Sequence, residues 1–413
     1  MQRERTMKDS GIPWIGEIPE GWKVCRIKDV AMLYNGNSIK DEEKDNYTHP
    51  NNAYTYISTK DLDATYQSID YCNGLFTSKD DSIFKIAHRD SCLMCIEGGS
   101  AGKKKAYVEQ DVSFVNKLCC FAPYKIEGKY LFYYICSPNF ESEFYKYISG
   151  LIGGVSVSTL KNFMQLLPPL AEQHLIATFL DKKCSEIDSL IELQEQMIEE
   201  LKAYKQSVIT EAVTKGLNPD APMRDSGIDW IDTIPNHWIV RKMKSLIDLK
   251  SGSNLTSEQI SDKDDGYPVY GGNGLRGTYS EYSNEGDYVL VGRQGALCGN
   301  INYASGKFWV TEHALVCYPK EALDIRWLGE SLRAMNLNQY SLSAAQPGLS
   351  AERIKNLYMI VPPLAEQQAI AGYLDKKCGE IEELITIKQQ KIESLKEYKK
   401  SVIYEYVTGK REV

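Results

Sequence analysis

The sequence predicts an α+β protein: two globular mixed α/β domains, separated by two long antiparallel coiled-coil helices, in a pseudo-two-fold tandem repeat. Three observations lead there. The segment LAEQHLIATFLDKKCSEIDSLI at Leu170 returns as LAEQQAIAGYLDKKCGEIEELI at Leu364, and ungapped pairing of 170–214 with 364–408 gives 28 identities in 45 positions. The opening DSGIPWIGEIPEGW at Asp9 returns as DSGIDWIDTIPNHW at Asp225, an offset of 216 rather than 194. Between these anchors the two halves diverge, with 90–121 aligning to 287–318 at an offset of 197. A repeat of this kind sets the architecture before any local reading. The falling offset means that the second half has lost residues mainly between its opening and Asp287.

The parts follow in order: an opening anchor with the first globular domain over 1–169, a helix over 170–216, the second globular domain over 217–363, and a second helix over 364–413. Each globular middle is rich in Tyr, Gly, Asn and Ser, with short apolar runs such as NAYTYIS at Asn52, SCLMCIEG at Ser91, YPVYGGNG at Tyr267 and FWVTEHALVCY at Phe308. β-Branched and aromatic runs bounded by Gly and Asn read as short strands with tight turns. Each middle ends in a stretch read as helix-like, STLKNFMQLLPPL or ERIKNLYMIVPPL, whose double proline (Pro168 and Pro169; Pro362 and Pro363) punctuates the exit from the domain.

Beyond the prolines, Cys184, Ile187, Ile191, Gln194, Ile198, Leu201, Lys205 and Val208 recur at three- and four-residue spacing. Cys378, Ile381, Ile385, Lys388, Ile392, Leu395, Lys399 and Val402 repeat the pattern. That period predicts a coiled-coil seam, widened by Leu190, Tyr204, Leu384 and Tyr398, with Gln194 and Lys388 either solvated gaps or register-setting polar positions. The predicted helix-pair and partner interface comprises Ile187, Ile191, Ile198, Leu201, Val208, Ile381, Ile385, Ile392, Leu395 and Val402. An opening follows the first helix at Asp225 but none follows the second, so the opening at Asp9 is expected to dock beside the end of the second helix.

Composition narrows the function. A net charge of −8 argues against bulk electrostatic coating of nucleic acid, though not against local basic loops. The polar N-terminus, and the absence of any apolar run near the roughly 18 residues of a membrane span, predict a soluble cytoplasmic protein. Eleven cysteines read as reduced thiols, and the Cys92–Cys95 pair, within CLMCI, reads as strand core rather than metal site. GGSAGKKK at Gly98 misses the phosphate-loop spacing, because Glu97 stands at the first glycine and Lys104 at the Ser or Thr position. Neither double proline has the flanks of an adenine methyltransferase motif, and none of the five histidines lies in a catalytic or metal-binding pattern. No catalytic residues and no metal site are expected.

The glycine-rich turns carry side chains suited to DNA. Lys103, Lys104 and Lys105 suit phosphate, whereas Arg293 and Gln294, in the aligned turn of the second half, suit base edges; Asn300 of that turn joins the DNA-binding set, and for each of these residues a solvated β-turn is an equal reading.

At the repeated LPPLAEQ and VPPLAEQ segments and the repeated DSGIPWI and DSGIDWI openings, the chain resembles the specificity subunits of type I restriction-modification systems, in the order of its parts over nearly its full length. The resemblance implies two target-recognition domains, each reading one half of a bipartite, asymmetric double-stranded DNA target. It implies a coiled-coil spacer and recruitment of two modification (methyltransferase) subunits and of restriction (ATP-dependent translocase and nuclease) subunits. S-adenosylmethionine, ATP and magnesium are then expected on those partners, and no cofactor on this chain. A helix over 185–213 would measure about 44 Å, commensurate with half-sites one DNA turn, about 34 Å, apart. Two other readings are a self-contained restriction-modification enzyme with an unrecognised site and a non-catalytic DNA-bridging scaffold. Incubating purified chain with DNA, magnesium and S-adenosylmethionine separates the first, and failure to bind a neighbouring methyltransferase would favour the second.

Overall fold

The computed structural model describes residues 5–13, 15–148, 153–262, 266–295, 297–341 and 348–413. It divides into two compact units: Met1–Glu195 with Gln390–Val413, and Gln196–Gln389. Each unit therefore combines one globular domain with part of both long helices, Leu170–Lys215 and Leu364–Val407.

Both globular domains have the same topology. In the first, one four-stranded sheet runs Ala31–Asn35, Leu118–Pro123, Cys92–Cys95, Lys105–Tyr107, and a second runs Phe76–Ser78, Ala53–Ile57, Val112–Phe114, Ile86–Ala87. The second domain repeats both orders with Ile247–Ser251, Ala314–Pro319, Tyr288–Gly292, Ile301–Ala304 and with Gly274–Tyr279, Tyr267–Gly271, Lys307–Val310, Asn284–Glu285. Even the single parallel pairing of the second sheet is kept, Ala53–Ile57 beside Val112–Phe114 and Tyr267–Gly271 beside Lys307–Val310.

Strand alternation gives the first sheet two buried faces. Cys92, Met94 and Ile96 join the core that includes the helices, while Leu93 and Cys95 face the core between the sheets. The two thiols of CLMC thus point into different cores, which a chelating pair cannot do. Val289 and Val291 against Leu290 repeat the arrangement in the second domain.

Gly36 and Gly252, 216 residues apart, stand where the chain leaves the first sheet. A Cβ there would lie 1.8 Å from the Phe114 carbonyl oxygen or 2.2 Å from that of Val310, so only glycine allows the backbones to approach.

The residues before each double proline are strand rather than helix. Met164–Leu167 pairs antiparallel with Lys23–Arg26, and Tyr358–Val361 with Ile239–Lys242, after helices of only four or five residues (Val157–Leu160; Ala351–Lys355). The helical spacing read from the sequence was overridden by pairing with the strand that follows each opening, a partner distant in sequence. Most of the residues missing from the second half lie in one place. The first domain carries 58–75 between its paired strands Ala53–Ile57 and Phe76–Ser78, where the second has only Gly272 and Asn273. That longer connection reaches the first long helix, where the Tyr66 hydroxyl donates to Glu195 at 2.8 Å. Burial and that carboxylate push the phenol up to about 12.

The repeated motifs hold one another. Buried Trp22 donates its indole N–H to Glu172 of LAEQ at 2.9 Å, and Trp238 does the same to Glu366. Gln173 bonds back to the Pro168 carbonyl and accepts from the Glu127 amide, while Gln367 bonds to Pro362 and accepts from Asp324. Each tryptophan also covers the glycine that terminates the other long helix: Trp22 lies over Gly409 and Trp238 over Gly216, both at positive φ. Lys410 donates to the Glu17 carbonyl at 2.7 Å, so the opening at Asp9 does dock beside the end of the second helix.

The long helices pack antiparallel in each unit. In the first, Asp188 meets Lys399 and Phe179 meets Tyr406; in the second, Lys205 meets Glu382 and Met197 meets Lys388. Asp188 and Glu382 are repeat equivalents, as are Lys205 and Lys399, so both units have the same register. The ion pairs at Lys205 and Lys399 are made in this shared register. Lys388 is half-buried, with Met197 Sδ 3.4 Å from its ammonium. Seam residues Ile187, Ile191, Ile198, Val208, Ile381, Ile392, Leu395 and Val402 are buried, and Leu201, Gln194 and Ile385 half-buried. The expected widening does not occur: Leu190, Tyr204, Leu384 and Tyr398 are 47–52% exposed. A two-helix seam covers little beyond its own a and d positions, and these residues lie outside it.

Candidate nucleic-acid interface

The aligned turns occupy equivalent places, between the third and fourth strands of the first sheet. In the first domain the turn after Cys92–Cys95 leaves Lys103 exposed, but its neighbours are engaged. Lys104 donates to the Thr59 carbonyl at 2.9 Å. Lys105 is 1% exposed and its ammonium lies 2.6 Å from Glu141. An ammonium so placed neutralises a carboxylate inside the fold and is unavailable to phosphate, which corrects the expectation for Lys105. Alternation explains the difference, because Lys105 begins the strand and turns inward.

In the second domain the turn closes one wall of a cleft of about 730 Å³, lined by Gly272, Asn273, Arg276, Gln294, Leu297 and His313 among others. Gln294 is exposed, and its Oε1 lies 2.8 Å from His313 Nδ1. Asn300 donates from Nδ2 to Asn273 Oδ1 at 3.2 Å, bringing it to the cleft through Asn273. Arg293 is turned away by bonding to Ser251 Oγ at 3.2 Å, while its backbone amide donates to the His313 carbonyl at 2.8 Å.

Arg276, Asn273 and His313 were missed from sequence. Asn273 and Arg276 lie in GGNGLRG, a glycine-rich turn with the same signal in sequence as Arg293–Asn300. His313 offered no such signal, since its place opposite Gln294 comes from the pairing of Ala314–Pro319 with Tyr288–Gly292. Exposed Leu275 and Leu297 add apolar surface to the same cleft.

The cleft presents hydrogen-bonding side chains and apolar surface, both suited to recognition. Burial pushes the thiols of Cys120 up to about 11 and of Cys136 and Cys184 up to about 12, so none is a poised nucleophile. Among the described residues no group of three or more His, Cys, Asp or Glu side chains is placed to hold a metal ion, and no helix is long and apolar enough to cross a membrane.

Comparison with known proteins bears on this geometry. Residues 19–203 and 235–397 match the family described as type I restriction modification DNA specificity domain. The chain is 39% identical over 139 residues to the type I restriction enzyme EcoprrI specificity subunit of Escherichia coli, a match spanning 33% of this chain and 35% of that one. It is 25% identical to the putative type I restriction enzyme MjaX specificity subunit of Methanocaldococcus jannaschii, over 96% of this chain and 95% of that one. Among solved structures, a chain from work on complex assembly and conformational transition of the type I R-M system aligns with a TM-score of 0.73 at 16% identity, over 94% of this chain and 98% of that one. The HsdS subunit from Thermoanaerobacter tengcongensis aligns at 0.51 and 17%, over 95% and 98%. At such identities the structural likeness concerns the fold.

Proposed function

The chain belongs to the type I restriction-modification DNA specificity family, and on that premise we propose that it is a non-catalytic reader of a bipartite, asymmetric DNA target within a modification and restriction complex. One observation carries this reading: two domains of identical topology, held by identical Trp–Glu clasps, present different chemistry at equivalent turns. The first offers Lys103 beside the 58–75 connection, and the second an Asn, Gln and Arg cleft. A constant frame with variable reading loops is what a two-part reader requires, since half-sites can change while the frame cannot.

Partner docking falls to the helices. Their seam residues are buried or half-buried, but Leu190, Leu193 and Tyr398 of the first unit, and their equivalents Leu384, Ile387 and Tyr204 of the second, are 47–52% exposed and recur 194 residues apart. Two matched apolar sets suit two copies of one partner, the modification subunit, and their burial on binding would offset their exposure. S-adenosylmethionine, ATP and magnesium belong to the partners on this reading, restriction subunits included, and the complex works in the cytoplasm.

Sequencing the methylated positions of the host genome with and without this chain tests the proposal. A two-part motif with a non-specific spacer should vanish with the chain; an unchanged methylome, or a contiguous palindrome, would refute it.

A further inference from the structure

Within the cleft of the second domain, His313 lies between two oxygens. Its Nδ1 is 2.8 Å from Gln294 Oε1 and its Nε2 is 3.2 Å from Glu312 Oε1. The other carboxylate oxygen of Glu312 is buried without a hydrogen-bond partner among the described residues, which makes the imidazole the counter-group of that carboxylate. The Gln294 carbonyl accepts at one nitrogen and the carboxylate lies near the other, an arrangement that favours a proton on each. In that form Nδ1–H donates to the Gln294 carbonyl, and the NH2 of this exposed amide is left for the cleft. In the singly protonated ring, the nearby carboxylate charge favours the proton on Nε2. Nδ1 then becomes an acceptor, and the amide must turn over to donate to it, leaving its carbonyl for the cleft.

We propose that Gln294 reads a base edge of the second half-site and that His313 is its positioning residue, deciding whether the amide offers DNA a donor or an acceptor. The proposal rests on the DNA-reading role of this domain. With the doubly protonated ring, the cleft offers mainly donors: the Gln294 NH2, the Arg276 guanidinium, and the NH2 of Asn273, whose oxygen already accepts from Asn300. Donors match guanine, which shows O6 and N7 in the major groove, whereas an outward carbonyl matches the amino group of cytosine or adenine. The charged groups around His313 are Glu312 beside it, Arg276 in the same cleft, and Arg293, whose amide bonds the His313 carbonyl and whose guanidinium is held by Ser251. Of these groups only the imidazole touches the Gln294 amide, and it sets the direction of that amide.

The experiment uses the full chain assembled with its modification partners, methylating duplexes that carry each base at every position of both half-sites. Rates are compared between about pH 6 and about pH 8. At one position of the second half-site, the preference for guanine over adenine or cytosine should be roughly tenfold greater at the lower pH. His313→Asn, which can donate at either pH, should keep the guanine preference and abolish its pH dependence. Gln294→Glu, which only accepts, should move that position toward cytosine or adenine at both. The first half-site should not change. A wild-type motif indifferent to both substitutions and to pH overturns the proposal, and so does loss of all methylation in both variants, which would show a merely structural role. A wild-type complex without any sequence preference would instead sink the DNA-reading role itself.

Discussion

The indole nitrogen of Trp22 lies 2.9 Å from Glu172, 150 residues away, and this bond ties the opening segment to the start of the first long helix. Trp238 and Glu366 repeat it at the same distance. Because each tryptophan also covers the glycine ending the other helix, the clasp joins one helix's start to the other's end within each unit. The two most strongly repeated sequence segments thus bind each other in both units.

Removing the acceptor tests the clasp. Glu172→Ala and Glu366→Ala should each cost about 1–3 kcal/mol, the usual penalty for orphaning a buried donor. Thermal denaturation of the full chain reads this as a fall of roughly 2–4 °C per kcal/mol for units of this size. Unchanged melting in both variants would show that the clasp contributes nothing.

The inter-helix pair of Lys399 and Asp188 makes a pH-dependent prediction. Burial raises the Asp188 carboxyl above its ordinary range and Lys399 partly offsets this, so the folded state binds the proton more tightly than the unfolded one. The sign follows: charging Asp188 costs stability as pH rises through its raised value, and Lys399 limits that cost. Lys399→Met should therefore destabilise by about 1–3 kcal/mol near neutrality. The penalty should shrink as acid protonates Asp188, a trend that denaturant titrations at several pH values would reveal; a pH-independent penalty would exclude this cause.

Register makes a prediction about spacing. Adding seven residues to both helices, between Asp188 and Lys205 and between Glu382 and Lys399, keeps both ion pairs and the heptad phase. Seven residues add about 10 Å of rise, so the target spacer should lengthen by roughly three base pairs, with both half-sites retained. The same insertion in one helix alone puts one ion pair out of register and should impair assembly. Methylome sequencing distinguishes these outcomes, and an unaltered spacer in the paired insertion would refute the ruler role.

The three lysines of the first turn should separate by function. Lys103→Ala should weaken DNA binding and lower the salt slope by about one, with folding intact. Lys105→Ala should instead destabilise the first domain, since it leaves Glu141 without its buried partner. Equal salt slopes for both variants would contradict this division.

Independence of the domains is tested by exchange. Replacing residues 25–160 with the corresponding part of another family member should change one half-site and leave the other and the spacer intact. Altered bases in both halves would show that the domains do not read separately.

By itself the sequence determined the duplication, the order of parts and the seam, because helical period and repeated motifs are local signals that survive without a partner. It also located two equivalent glycine-rich turns, through glycines and the side chains beside them. Only tertiary structure decided which of those side chains are available. Lys103, Lys104 and Lys105 are adjacent and chemically alike, yet strand alternation buries Lys105 on Glu141 and leaves Lys103 in solvent. Leu190 and Tyr204 look like seam residues by hydrophobicity, yet a two-helix pair is too narrow to cover them. Met164–Leu167 has helical spacing, yet pairing with Lys23–Arg26 makes it a strand. His313 and Gln294 meet across a strand pairing that no local pattern reports. Burial and pairing depend on residues distant in the chain, and they assign side chains of one chemical type to different tasks.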